Sequence, residues 1–234
     1  MIASDIRELS AQVIATALDM NALGINQGKS GNVSARVMPA TASGTDALRD
    51  RFIITPTSVR YDRLQPDDLA LMSLAAVDER EFTGKLLPSS EWRFHRDIYR
   101  ARPDVQAIVH THGVHATTLA CLGRGIPAFH YMVAIAGGHD IRCAPYATFG
   151  TQALSDRVVS ALADRHACLL AHHGLIATGA SLERALAIAV EVETLARIYG
   201  QALQIGEPEV LSDEEMQRVL HRFRTYGQFQ SGDV

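Results

Sequence analysis

Ala107-Ile108-Val109-His110-Thr111-His112 is a short apolar run that turns polar at its end. A run of this length, rich in apolar and β-branched side chains, reads as a strand. Upstream of it, the segment from Pro88 to Pro103 has the spacing of a helix, with Ser89 or Ser90 at its cap. Downstream, the pattern returns to helix from His115 to about Leu122. Thr151 then caps a helix carrying Leu154, Val158 and Leu162, and Cys168-Leu-Leu-Ala-His-His-Gly174 reads as a second buried strand. Ser181 opens a further helix with Ala185, Ala189, Val192, Ala196 and Tyr199 on one face, and Ser212 with Glu215 forms a capping box for the last. Toward the start, Ile6, Leu9, Val13, Ala17 and Met20 mark an amphipathic helix ending before Gly24. Phe52-Ile-Ile-Thr and Ala70-Leu-Met-Ser are short strands. Strands and helices interleave without repeats, which predicts a single α/β domain over residues 1–234, its central sheet covered by helices.

Composition narrows the function classes. Against 26 Asp and Glu the chain has 22 Lys and Arg, a formal charge of -4, so no basic stripe points to nucleic acid. Cys121, Cys143 and Cys168 lie far apart with no Cys-x-x-Cys pair, which argues against a disulfide framework and a cysteine zinc site. Charges at Asp5, Arg7 and Glu8 interrupt any signal-peptide core, and no stretch approaches the ~20 apolar residues of a membrane span. A cytoplasmic protein with no membrane partner is expected. Residues 38 to 50 lack a period and read as a surface loop without chemistry.

Two of the ten histidines sit in His110-Thr-His112 at the end of the first strand. Alternation puts both imidazoles on one side, roughly 6.5 Å apart at the backbone, close enough to share one ion. Catalytic zinc takes three protein ligands and keeps a position open. His172-His173-Gly174 at the end of the second strand supplies the third, His173 rather than His172, with Gly174 allowing a sharp exit. A lone His-x-His pair also serves as ordinary hydrogen-bonding residues; the second histidine-ended strand tips the reading toward metal.

Pro88-Ser-Ser-Glu91-Trp places hydroxyls and a carboxylate at a helix start, where free amides attract either a phosphate or Glu91 itself. Plain capping explains the same residues. The loop Gly24-Ile-Asn-Gln-Gly-Lys-Ser-Gly-Asn-Val-Ser has the small residues that let backbone amides approach an anion.

Seven motifs occur in one order: Asn26-Gln-Gly, Gly31-Asn-Val-Ser, Pro88-Ser-Ser-Glu-Trp-Arg-Phe-His, Val109-His-Thr-His, His130-Tyr-Met, Ala144-Pro-Tyr-Ala-Thr-Phe-Gly and His172-His-Gly-Leu-Ile-Ala. With them the chain resembles, over nearly its whole length, the class II aldolases of the aldolase and adducin superfamily, nearest to the L-fuculose-phosphate aldolase type. The resemblance implies a three-layer fold whose central sheet is mixed and largely antiparallel. It implies Zn2+ on His110, His112 and His173, and Glu91 as the carboxylate that moves a proton. Gly31, Asn32, Thr57, Ser58, Ser89 and Ser90 would surround a substrate phosphate, Tyr131 would donate a proton, and Tyr226 would close over the site from a neighbouring subunit of a homotetramer. The reaction implied is reversible cleavage of a small phosphorylated sugar, a ketose 1-phosphate of the L-fuculose or 5-deoxy- or methylthio-ribulose kind, to dihydroxyacetone phosphate and an aldehyde.

Lys29, Ser30 and Ser58 depart from that pattern; Lys29 sets a cation beside the phosphate, and Ser58 stands where glycine is common. Rival readings within the superfamily are a metal-dependent sugar-phosphate epimerase of the ribulose-phosphate 4-epimerase type, a decarboxylating relative and a non-enzymatic adducin-like module. Glu91 speaks against the epimerase, and the intact histidine set against the module.

Overall fold

The computed structural model describes residues 2–37 and 50–225. Tyr226, and all but Asp50 of the segment read as a surface loop, lie outside the described residues. Eight strands, β1 (Asn32–Arg36), β2 (Arg51–Ile54), β3 (Ala70–Ser73), β4 (Phe82–Thr83), β5 (Ala107–Thr111), β6 (Arg142–Ala144), β7 (Ala167–Leu170) and β8 (Gly174–Gly179), form one sheet in the order β4-β3-β2-β1-β5-β8-β7-β6. Only β6 and β7 run parallel, so the sheet is mixed and largely antiparallel. Six helices are described: α1 (Ile2–Ala22), α2 (Trp92–Ala101), α3 (Val114–Cys121), α4 (Gln152–Ala161), α5 (Leu182–Ile205) and α6 (Asp213–Thr225).

Alternation along each strand sends neighbouring side chains to opposite faces. Val33, Val109, Leu175 and Ala177 join Val13 and Met20 of α1, Leu119 of α3 and Val192 of α5 in one core. Ile54, Met72, Ile108 and Ile176 join Phe94 and Ile98 of α2 and Leu154 and Val158 of α4 in the other. With helices on both faces, every residue of β5, β7 and β8 is buried, which is why the first three residues of β5 and all of β7 read as apolar runs. Each large side chain withdrawn from water, such as Trp92 or Phe94, contributes about 1.5–3 kcal/mol.

Thr151 and Ser181 cap α4 and α5 as their sequences predict, each hydroxyl accepting a backbone N–H three residues on. Ser212 Oγ likewise accepts from Glu215 N at 3.2 Å, but the Glu215 carboxylate pairs with Arg218 instead of closing a box. The start of α2 differs from expectation. Its first residue is Trp92, the cap position falls on Glu91, and no side chain caps it; Ser89 Oγ accepts from the Glu91 N–H at 3.3 Å instead.

Gly174 also acts otherwise than expected. The left-handed residue of the β7–β8 turn is His172, with φ 57. Gly174 opens β8, where a Cβ would run into the Thr111 carbonyl and press on the His112 ring. The register that requires this close approach pairs Asn32 with His110 and Thr111 with Leu175. The start of β1, the end of β5 and the start of β8 therefore meet at one end of the sheet, where the functional residues collect.

Candidate metal centre and active site

His110 lies on the same face of β5 as Ile108, toward α2, and so meets Glu91 at the entrance to that helix. Its Nδ1–H donates to the Leu175 carbonyl at 2.9 Å, because a carbonyl oxygen only accepts. In the neutral ring that leaves Nε2 as a lone pair. His112 Nε2 lies 3.0 Å from it, and the three rings of His110, His112 and His173 stand nearly edge to face with centroids 4.8 to 4.9 Å apart. One ligand atom from each of these histidines and from Glu91 falls within 4.8 Å of the others. Two nitrogens on a tetrahedral zinc stand roughly 3.3 Å apart, given bond lengths near 2.0–2.1 Å.

The donor set fits a divalent metal on three counts. The second ring nitrogen of His110 is held by a backbone carbonyl, the usual arrangement behind a ligating imidazole. Burial, then the neighbouring His110 and His173, push His112 down to about 3, so it is neutral as a ligand must be. Glu91 Oε1 is buried and, although 3.1 Å from His173 Nε2, makes no hydrogen bond. Burial alone would raise the Glu91 carboxyl, but His110 and His173 outweigh it and hold it well below the ordinary carboxylate range.

Two cavities meet here. One, of about 290 Å³, is lined by Glu91, His112, His173 and the exposed rings of Tyr146 and Phe149. The other, of about 490 Å³, is lined by Lys29, Gly31, Asn32, Thr57, Ser58, Ser89 and Ser90. Ser30, Ser90 and Glu91 border both. All seven residues expected around an anion thus line one cavity, next to the carboxylate. Lys29 Nζ donates to the Ser58 carbonyl at 2.9 Å, and Ser58 has φ 64, the left-handed conformation that glycine adopts freely. The Asn32 side chain faces Glu91 and Ser89 instead, donating to both at 3.0 Å.

Tyr131 is not brought to this site. It begins a 3₁₀ turn (Tyr131–Ala136), is 51 % exposed and stacks on His130, outside the lining of either cavity.

Sequence reasoning passed over Glu193. This residue of α5 is 7 % exposed, and its carboxylate accepts from the amides of His115 and Ala116 at 2.7 and 2.9 Å, capping α3 directly after His112 of the cluster. Gly113 leaves room for it, since a Cβ there would strike the Glu193 carboxylate. The signal was legible: an acid beside Val192 inside the apolar stripe of α5. Glu193→Ala is expected to strand two helix-end amides at a cost of about 1–3 kcal/mol, roughly a 2–10 °C drop in melting temperature. A thermal melt unchanged within a degree would show the cap to be inert.

Among the described residues no helix is long and apolar enough to cross a membrane, and all three cysteines are free. Residues 11–200 match the profile of the family described as Class II Aldolase and Adducin N-terminal domain. The chain is 51 % identical over 215 residues to a 5-methylthioribulose-1-phosphate/5-deoxyribulose-1-phosphate aldolase of Rhodospirillum rubrum, covering 92 % of this chain and 90 % of that one. It is 49 % identical over 221 residues to an L-fuculose phosphate aldolase of Escherichia coli K12, covering 94 % and 96 %. A solved L-fuculose 1-phosphate aldolase superposes with a TM-score of 0.84 at 36 % identity, covering 93 % of this chain and 96 % of its own. The histidine cluster, the carboxylate beside it and the sheet that joins them thus sit in a chain that belongs to the class II aldolase and adducin family and is a class II aldolase.

Proposed function

We propose that this enzyme uses zinc to cleave a ketose 1-phosphate reversibly into dihydroxyacetone phosphate and an aldehyde. The observation that carries the reading is that a cavity of small polar residues and a histidine-lined cavity share the Glu91 wall. A short sugar phosphate spans such a pair with its phosphate in one and its carbonyl in the other. The relatives' names supply the candidate sugars, L-fuculose 1-phosphate and the 5-deoxy- and methylthio-ribulose 1-phosphates.

His110, His112 and His173 would hold the ion, which when bound supplies a Lewis acid for the charge that develops as the carbon–carbon bond breaks. The loop Gly28–Gly31 and the hydroxyls of Thr57, Ser89 and Ser90 anchor the phosphate and fix the orientation of the sugar. Glu91, ionised beside the imidazoles, takes a proton from the hydroxymethyl carbon in condensation and returns it in cleavage. Tyr131 would handle the aldehyde oxygen, and because it lies outside its own chain's cavities it would do so at a neighbouring subunit's site, as would Tyr226. A homotetramer acting in the cytoplasm completes the reading.

The test is to measure bound metal and to follow dihydroxyacetone phosphate release from L-fuculose, L-rhamnulose, 5-deoxyribulose and methylthioribulose 1-phosphates, before and after chelation. Release that vanishes on chelation and returns with zinc is expected. No release from any of the four by metal-loaded protein would turn the reading toward the epimerase or decarboxylating relatives. Lys29→Ala is expected to raise KM roughly 3–10-fold with kcat within about twofold, since one charge-assisted hydrogen bond to the phosphate is worth on the order of 1 kcal/mol. Initial rates at two salt concentrations check this, because the difference between variant and wild type shrinks as salt screens the cation.

A further inference from the structure

Behind Glu91 runs a buried line of polar groups that the reaction does not itself use. Tyr99 OH lies 2.8 Å from Ser34 Oγ, Ser34 Oγ lies 2.7 Å from His95 Nδ1, and His95 Nε2 contacts Asn32 Oδ1. Asn32 Nδ2 donates onward to Glu91 Oε2 and Ser89 Oγ, both at 3.0 Å. Tyr99, Ser34 and His95 are at most 1 % exposed, and they satisfy one another within the line.

The line has one direction. An ionised carboxylate only accepts, so Asn32 must turn its amide nitrogen to Glu91 and its oxygen to His95. His95 must then carry its proton on Nε2 and accept on Nδ1 from the Ser34 hydroxyl, which in turn accepts from Tyr99. Reversing it would set two acceptor oxygens face to face at Glu91. Burial, with a smaller push from His110, drives His95 down to about 3, so the ring is neutral and has a single proton to place.

We propose that His95 is a positioning residue: through Asn32 it fixes the Glu91 carboxylate by its Oε2 atom and leaves Oε1 as the oxygen that exchanges a proton with substrate. Each oxygen faces a histidine Nε2 at 3.1 Å, Oε2 that of His110 and Oε1 that of His173, and the Asn32 hydrogen bond to Oε2 is what distinguishes them. Freed from His95, Asn32 Oδ1 loses its buried partner, the amide is no longer held in place against Oε2, and the two carboxylate oxygens are no longer distinguished. The assignment to proton exchange rests on the aldolase reading.

The tautomer is tested without reference to activity, by nitrogen-15 NMR of histidine-labelled, zinc-loaded protein. His95 is expected as the Nε2–H form; an Nδ1–H or doubly protonated ring would overturn the proposal. Three substitutions test the consequence. Gln places an N–H near the position of Nε2, Asn places its polar group near Nδ1, and Phe keeps a ring against Phe94, which stacks on His95 with centroids 4.8 Å apart. His95→Gln is expected to keep kcat within about threefold, whereas His95→Asn and His95→Phe lose roughly 10–30-fold in kcat with KM within threefold and metal content unchanged. Equal losses in all three, or none in His95→Phe, would make the residue a packing element only. If the variants fail to fold, the tautomer decides alone. A wild type inactive on all four sugars would fault the functional reading and leave the tautomer result standing.

Discussion

Glu91→Gln is expected to lose about 10³-fold in kcat for both cleavage and condensation while keeping its metal and its KM. The carboxylate is 5 % exposed and is the charged wall shared by the two cavities, so no other described acid stands ready to replace it. General acid–base catalysis by a placed group is worth about 10²–10⁴ in rate, and the isosteric amide removes the basic oxygen while preserving shape. The three imidazoles remain to hold the ion. Exchange of dihydroxyacetone phosphate hydrogen with deuterated water in the absence of aldehyde isolates the proton step, and it should fall with kcat. The structure also permits a competing role, since Glu91 lies 3.1 Å from both His110 and His173 and completes the four-residue cluster. A Glu91→Gln protein that loses metal but exchanges normally once metal is restored would identify Glu91 as a ligand.

His173→Ala is expected to carry almost no metal after dialysis and to lose more than about 10³-fold in activity, because three protein ligands are the usual minimum for catalytic zinc. The neighbouring His172→Ala is the control. His172 turns its ring edge-on to Tyr146, with centroids 5.8 Å apart, and is no member of the cluster. Metal content should separate the two: near one per chain for His172→Ala, near zero for His173→Ala. Full metal and full activity in His173→Ala would place the third ligand elsewhere.

Both strands that end in histidines were legible because burial on two faces strips them of polar residues until the site begins. Helices α4 and α5 were legible through Thr151 and Ser181, whose caps form within one turn. Strand β8 was not separated from β7 because only His172 and His173 punctuate the change from one to the other, and a left-handed His172 has no sequence marker as strong as glycine. The two-residue β4 and three-residue β6 are too short to show any period. In the site, the histidine cluster could be read because His110, His112 and His173 lie at or just beyond the ends of two apolar strands. The line from Tyr99 to Asn32 could not, since its contacts join residues more than 60 positions apart and exist only once β1 lies over α2.

The sheet's two outermost strands are its shortest, two residues in β4 and three in β6. Unpaired backbone groups along a long rim invite a foreign strand to add on, and such rims seed fibres. Here neither border is long enough to template one. Any contact between copies of this chain is thereby left to side chains on helices and loops, while the sheet itself stays closed to growth.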